Sequence, residues 1–168
     1  LLWEPGNPVL YDIELSIIRG GKVIDQVSSY TAFRKISLEK DANGIQWVML
    51  NNKFLFQYGP LDQGWWPDGL YTAPNAEALL FDIVKTKEMG FNMIRKHTKV
   101  EPAIWYRYCD SVGMLVWQDM PSGDMNFSTD KWITNPSLEP VDKVRTPASE
   151  LIFRTELKAM IDAFRPFP

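Results

Sequence analysis

A dense group of polar and basic side chains follows one short apolar run, and its residue types suit contact with a substrate. Asn92, Arg95, Lys96 and His97 fall within six positions, and His97 is the only histidine in the chain. A short apolar run is typical of a buried strand, so Phe91 to Arg95 predicts a strand that ends in basic and hydrogen-bonding groups. We interpret this stretch as one part of a candidate active-site rim.

Two further predicted strand ends carry side chains of similar chemistry. The first is followed by Asp62, Gln63, Trp65, Trp66 and Asp68, and the last, Met114 to Gln118, is followed by Asp119. In parallel α/β folds the working residues lie at the carboxyl ends of the strands, so we expect all three sets on one face of the sheet. Acids, bases, amides and tryptophans on one rim are typical of a polyol or sugar site.

Each of these residues also has a structural interpretation. Arg95 could be a buried ion-pair partner, or it could hold a catalytic carboxylate in place. His97 could make a structural hydrogen bond or contact the ligand. The two tryptophans could cap the end of a barrel or stack on a substrate. Lys96, with Lys99 nearby, is interpreted as solvated charge.

The bulk properties restrict the function classes. The chain has 168 residues, 45% of them apolar and 23% charged, as in a globular unit with a sizeable core. A net charge of −3 argues against a nucleic-acid binder, and no apolar run approaches the roughly 18 residues of a membrane span. One histidine with scattered acids predicts no metal site. Without a glycine-rich phosphate loop or a Ser/His/Asp order, we expect neither a cofactor nor a triad, and Cys109 is interpreted as buried packing.

The first part of the chain predicts antiparallel strands. Alternation from Leu10 to Ile18, a Gly20-Gly21 turn and a return from Lys22 to Tyr30 indicate a hairpin. Further strands are predicted at Phe33 to Leu38, at Ile45 to Leu50 and at Phe54 to Tyr58, with turns at Asp41 to Gly44 and at Asn51-Asn52.

The second part alternates helices with strands, which favours a parallel sheet with right-handed crossovers. The predicted helices are Glu77 to Met89 with Asn75 as N-cap and Leu80, Ile83 and Val84 buried, Pro102 to Val112, and one that begins at Thr146-Pro147 and buries Phe153, Leu157, Met160, Ile161 and Phe164. Pro60 to Pro74 and Pro121 to Arg145 are predicted to be long loops, which are often functional.

An ordered series of short motifs resembles glycoside hydrolase family 2, the group of β-galactosidases, β-glucuronidases and β-mannosidases. The matching stretches are Leu2-Trp3-Glu4-Pro5 with Asn7 to Tyr11, Ala32 to Ile36, Leu50 to Lys53, Lys87 to Arg95, and Trp105 to Val116. The resemblance implies an α/β fold: a partial (β/α)8 TIM barrel of about three βα units, preceded by a few antiparallel strands of an immunoglobulin-like β-sandwich. The implied boundaries are 1–40 for the sandwich strands and 41–168 for the barrel part.

The resemblance also implies a retaining mechanism with two glutamates, one acid/base and one nucleophile, about 5–5.5 Å apart. In the family the acid/base glutamate follows an Asn at the end of the fourth barrel strand, and the nucleophile ends the seventh. The resemblance implies that this chain stops before the fourth strand, so we expect both catalytic carboxylates beyond Pro168 and an inactive fragment. The absence of any Asn-Glu pair from the sequence agrees with this expectation. Arg95 matches the family arginine that contacts the nucleophile and would keep it ionised.

Several positions depart from the family pattern, so the sequence does not determine the sugar specificity. The family's substrate-contacting histidine lies three residues after the arginine, where this chain has Thr98, while His97 comes one position earlier. Asp62-Gln63 stand where the family usually has Arg-His, and Asp119 replaces the usual glutamate. The substrate-binding or supporting residues predicted are therefore Asp62, Gln63, Trp65, Trp66, Arg95, His97, Thr98 and Asp119.

Three functions remain open from the sequence. The first is a fragment of a retaining β-glycosidase that acts on terminal β-linked sugars, in a periplasmic, secreted or other compartment. The second is a non-catalytic carbohydrate-binding module built on Trp65 and Trp66. The third is a small α/β enzyme that uses Asp62, His97 and Asp119. Carbohydrate is the expected partner, without nucleic acid or membrane, and we expect oligomers to cover the apolar edge near Met114 to Trp117.

Overall fold

The computed structural model of the chain describes residues 1–121 and 145–168. In these ranges strands and helices are mixed, as predicted. The elements are β1 (Tyr11–Arg19), β2 (Lys22–Thr31), β3 (Ile36–Lys40), β4 (Gln46–Leu50), β5 (Lys53–Phe54), β6 (Leu61–Asp62), α1 (Ala76–Glu88), β7 (Met93–Lys96), α2 (Ala103–Val112), β8 (Leu115–Gln118) and α3 (Pro147–Phe164). All but the end residues of the predicted loop from Pro121 to Arg145 lie outside the described residues.

The predicted hairpin is confirmed. Strands β1 and β2 pair antiparallel, and Arg19 faces Lys22 across the turn. Gly20 and Gly21 have φ angles of 57° and 77°, which only glycine adopts at little cost. The turn therefore follows directly from the local sequence.

The third strand differs from its prediction. It begins at Ile36 instead of Phe33 and pairs with β4, in a sheet of order β3-β4-β5 separate from the hairpin. The main-chain oxygen of Phe33 instead accepts from the amide of Trp3 at 2.8 Å. Asp41 closes the β3–β4 turn by accepting from the amides of Asn43 and Ile45. The β3–β4 ladder thus crosses the predicted boundary at residue 40, and the division into two domains remains a prediction.

The strand predicted from Phe54 to Tyr58 ends at Phe54. Beyond Phe54, main-chain groups bond to the Asn92 side chain instead of to a neighbouring strand. Asn92 Nδ2 donates to the Phe56 oxygen at 2.9 Å, and Oδ1 accepts from the Tyr58 amide at 2.8 Å. The preceding turn is as predicted, because Asn51 and Asn52 adopt φ angles of 53° and 63°, which asparagine tolerates better than most residues.

The predicted parallel sheet is present, with the order β6-β7-β8. Strand β6 lies within the stretch predicted to be a loop, and its two residues are too few to show a period. Arg95 stands in register with Leu61 on one side and with Trp117 on the other. The carboxyl ends of the three strands therefore meet at one edge.

Two crossover helices cover this sheet. Asn75 caps α1 as predicted, since its Oδ1 accepts from the Ala78 amide at 2.8 Å. The buried face of α1 is carried by Leu79 and Ile83, whereas Leu80 and Val84 are only half-buried. The core between α1, α2 and the sheet consists of Leu79, Ile83, Ile94, Trp105, Tyr106, Cys109 and Met114. The packing role predicted for Cys109 is confirmed.

The last helix begins as predicted, with Thr146 as N-cap and Pro147 in its first turn. Phe164 packs on the ring of Tyr106 with a centroid distance of 4.3 Å. Ile161, predicted to be buried, is 49% exposed. The helix therefore contacts the core mainly through its carboxyl-terminal end, where Phe167 also lies against Tyr106.

Candidate functional site

The predicted rim residues converge at the carboxyl edge of the parallel sheet. Asp62 is in register with Lys96, and Lys96 is in register with Gln118. Residues directly after these positions, including His97 and Asp119, therefore lie at similar heights on adjacent strands. The sequence interpretation that three separate stretches share one rim is consistent with this geometry, while the role of each residue remains a proposal.

Arg95 and Asp119 form a two-pronged ion pair across β7 and β8. Arg95 Nε lies 3.0 Å from Asp119 Oδ1, and Nη2 lies 3.0 Å from Oδ2. The side chain of Arg95 is 48% exposed, so the alternative of a buried pair is wrong. The hydrogen bond and the charge of Asp119 raise the pKa of Arg95 above its usual range, and the guanidinium remains charged.

His97 connects the loop after β6 to this ion pair. Its Nδ1 lies 3.0 Å from Gln63 Nε2, and its Nε2 lies 4.0 Å from Asp119 Oδ2. With the Gln63 amide nitrogen as donor, Nδ1 is the acceptor in the tautomer that carries its hydrogen on Nε2, toward Asp119. Thr98 follows in an exposed bend with φ of 52°, and its side chain makes no hydrogen bond within the described part of the chain.

Lys96 and Lys99 are buried, so their interpretation as solvated charge is wrong. They are 1% and 7% exposed. Lys96 Nζ lies 2.9 Å from Glu101 Oε1 and 2.5 Å from Asp62 Oδ2, and Lys99 Nζ lies 2.9 Å from Glu101 Oε1. Lys96 also lies over the ring of Trp105, 4.6 Å from its centroid. Two cations and two carboxylates thus compensate each other beneath the rim, and we call Asp62, Lys96, Lys99 and Glu101 the charge quartet.

Glu101 was missed because nothing in its local sequence marks a buried acid. A usable signal was the strand period, since side chains two positions apart point to the same face. Ile94 is 2% exposed, and Lys96 must therefore enter the same core. A lysine on a core face requires a carboxylate partner nearby, and Glu101 is the nearest acid that follows it in the sequence.

Gln118 links the quartet to the third strand. Its Oε1 accepts from the Tyr106 hydroxyl at 2.5 Å, and its Nε2 donates to the main-chain oxygens of Lys99 and Asp119 at 2.8 and 2.7 Å. Burial raises the pKa of Tyr106 far above its ordinary value, so its hydroxyl remains a donor. These bonds fix the height of Asp119 relative to the β7–α2 loop.

The two tryptophans have different environments. Trp65 is 54% exposed, and its ring lies 4.4 Å from that of Tyr71. Trp66 is partly buried against the core cluster, and within the described part of the chain its Nε1 is buried without a hydrogen-bond partner. Trp66 thus fits the structural alternative, while Trp65 presents an aromatic face to solvent.

Residues 1–121 and 145–168 lack two other features, a metal site and a membrane-spanning helix. No group of three or more His, Cys, Asp or Glu residues there could hold a metal ion. None of the helices in those ranges is long and apolar enough to cross a membrane.

Comparison with known proteins places this arrangement in a family. The family model "Glycosyl hydrolases family 2" matches residues 1–34. A β-galactosidase of Lactococcus lactis is 29% identical over 70% of the chain, and a mannosylglycoprotein endo-β-mannosidase of Lilium longiflorum is 33% identical over 70% of it. The chain spans only 11% and 13% of the lengths of these two relatives.

Two solved structures of similar fold have alignments that cover this chain in full. A Bacteroides uniformis β-glucuronidase superposes with a TM-score of 0.74 at 27% identity and covers 100% of this chain, which spans 18% of that one. A β-galacturonidase of Eisenbergiella tayi has a TM-score of 0.74 at 23% identity, likewise over 100% of this chain and 26% of its own. From the motifs, the family model, the relatives at 30% identity or more and the shared fold we conclude that the chain belongs to glycoside hydrolase family 2.

Proposed function

We propose that the chain is the junction between an immunoglobulin-like sandwich and a TIM barrel in a retaining β-glycosidase that acts on terminal β-linked sugars. On this proposal the β6-β7-β8 sheet is the start of the barrel, and its carboxyl edge is one side of the sugar site. Family membership supports the reaction class, and catalytic sites of such barrels lie at this edge.

The proposal depends on one observation. Side chains at the ends of three adjacent parallel strands contact one another at the carboxyl edge, where TIM-barrel enzymes have their active sites. Gln63 contacts His97, His97 faces Asp119, and Asp119 holds Arg95. A carboxamide, an imidazole and a carboxylate at one sheet edge can hydrogen-bond several hydroxyls of a sugar ring. The set supports binding and orientation rather than the bond-breaking step.

The N–H groups of Arg95 that have no acceptor within residues 1–121 and 145–168 fit a supporting role. A guanidinium has five N–H groups, and Asp119 takes up one on Nε and one on Nη2. The remaining hydrogens could contact a second carboxylate supplied from outside residues 1–168. A fixed cation in contact with such a nucleophile would lower the pKa of its carboxyl group and keep it ionised at neutral pH.

Hydrolysis assays test the proposal. The whole protein that carries this chain should release nitrophenol from one nitrophenyl β-glycoside and give the β-anomer first, as seen by proton NMR. The isolated chain should show no turnover, because both glutamates are expected outside it. Turnover by the pure isolated chain, or an inverted first product from the whole protein, would contradict the proposal.

The exposed Trp65–Tyr71 pair supports a second candidate, a non-catalytic carbohydrate-binding surface. Its aromatic face lies beside Lys99 Nζ, which is 5.5 Å from the Tyr71 centroid. Calorimetry of the isolated chain with mono- and oligosaccharides separates the two functions. Binding that disappears in Trp65→Ala and persists in Trp47→Ala, which removes an exposed tryptophan of β4, would favour the binding module.

A further inference from the structure

The charge quartet lies directly beneath the rim and contacts two of its loops. Asp62 ends β6, Lys96 ends β7, and Lys99 and Glu101 belong to the connection between β7 and α2. Glu101 is 5% exposed and accepts from both lysines. The quartet therefore joins the loop that carries Gln63 to the loop that carries His97.

Gly64 is enclosed by this quartet. Its amide donates to Asp62 Oδ1 at 2.7 Å, and its oxygen accepts from Lys99 Nζ at 2.7 Å. A Cβ at this position would lie 2.4 Å from Glu101 Oε1 and 2.8 Å from Lys99 Nζ, and φ is +62°. The peptide units on both sides of Gly64 are thus fixed, and Gln63 comes immediately before them.

We propose that Lys99 and Glu101 are positioning residues: through Gly64 they set the loop after β6 at the height where Gln63 contacts the His97 imidazole. Neither residue needs to touch a substrate for this role. The description of the rim as a sugar site rests on the proposed function, whereas the positional claim concerns atoms of this chain alone. A failed glycosidase assay therefore leaves the positional claim standing, and the reverse also holds.

The quartet contains two cations and two carboxylates. A variant that keeps this balance can therefore remove the contact of Lys99 and Glu101 with Gly64 without unfolding the sheet. Lys99→Met alone leaves one carboxylate in excess beside a buried lysine, which is costly. The double variant Lys99→Met/Glu101→Gln removes one charge of each sign and leaves Lys96 paired with Asp62 at 2.5 Å. Gly64→Ala keeps every charge and disturbs the same contacts by its methyl group.

NMR of the isolated chain provides the test, because its single histidine gives one set of imidazole signals. In the unsubstituted chain we expect a nuclear Overhauser effect between the Gln63 side-chain amide and the His97 imidazole. The double variant and Gly64→Ala should lose this effect and shift the imidazole nitrogen resonances toward those of a solvent-exposed histidine. Amide resonances of β1 and β2, far from the quartet in the sequence, should be unchanged in both.

The matched control is Lys85→Met/Glu88→Gln, which removes an exposed ion pair of α1 and should leave the imidazole signals in place. Loss of all dispersed signals would mean that the double variant is unfolded. The Gly64→Ala and Glu101→Gln single variants then provide the test. If the Gln63–His97 effect and the imidazole shifts survive in every folded variant, the positioning role is refuted.

Discussion

Arg95 and Asp119 join two neighbouring strands through two parallel hydrogen bonds, each 3.0 Å long. Arg95 projects from within β7, and Asp119 immediately follows β8. The planar guanidinium matches both carboxylate oxygens, which fixes direction as well as distance. Because the pair is largely open to solvent, its consequence is the geometry of the rim more than the stability of the fold.

Asp119→Asn should separate these two effects. The urea midpoint of the isolated chain should hardly change, since solvent screens the lost charge. In the whole protein that carries this chain, kcat/KM for the proposed glycosidase reaction should fall on the order of 100-fold, because a misplaced supporting group disrupts alignment. Urea titration and steady-state kinetics measure the two effects. A large loss of stability with unaltered kinetics would reverse this assignment.

Lys96→Met should destabilise the fold by about 3–5 kcal/mol, because it leaves Asp62 without its cation and two carboxylates with Lys99 as the one remaining cation of the quartet. Lys96 contacts both Asp62 and Glu101 and is 1% exposed. Chemical denaturation followed by circular dichroism gives the free energy of unfolding.

Lys85→Met is the control for this substitution. It breaks an ion pair with Glu88 in which both side chains are about half exposed, and it should cost no more than about 1 kcal/mol. Equal effects of the two lysine substitutions would show that the burial of Lys96 has no energetic consequence.

Asp110 should make stability depend on pH. The residue is 6% exposed, and burial raises its pKa from 3.8 to about 6, although the Tyr30 hydroxyl, which donates at 2.8 Å, and the charge of Arg34 lower it. The folded state then holds a proton that the unfolded state has already released. Stability from this group is complete below about pH 4 and is lost as the pH rises through 6, by about 3 kcal/mol in total.

Asp110→Asn provides the comparison for this pH effect. The amide still accepts from Tyr30 but cannot titrate, so the fall in stability between pH 4 and 6 should be smaller by the stated amount. Thermal or urea unfolding of both proteins at half-unit pH intervals measures it. Identical pH profiles would exclude Asp110 as the source.

Gly59→Ala should prevent β6 from docking on β7. A Cβ at this position would lie 1.6 Å from the main-chain oxygen of Met93. The segment that leads into β6 must therefore move away from β7, which should lower the free energy of unfolding by about 3 kcal/mol or more. Amide exchange of β7 reports the separation. Gly6→Ala, where nothing lies within 4 Å of the added atom, should retain the exchange rates of the parent chain.

The sequence predicted elements whose signals are local. The Gly20-Gly21 turn, the Asn75 cap and the Gly113 end of α2 depend on backbone preferences of single residues, and each is present in the structure. Strand β6 and the end of β5 were misjudged because their hydrogen bonds come from distant residues. Asn92, far along the chain, occupies the backbone groups that a longer β5 would have used.

For the candidate site, the sequence alone predicted which side chains follow β7 and β8 at one edge of the sheet, because the alternation of helices and strands favours a parallel sheet. It did not predict β6, the third strand of that edge. Only the tertiary structure decided the partners of these side chains. It paired Arg95 with Asp119 and buried Lys96 beside Glu101, since ion pairs depend on distances between segments that no local pattern encodes. Lys96 and Lys99, interpreted from the sequence as solvated charge, thus form buried ion pairs next to the rim. His97, identified from its type and position, lies beside Gln63.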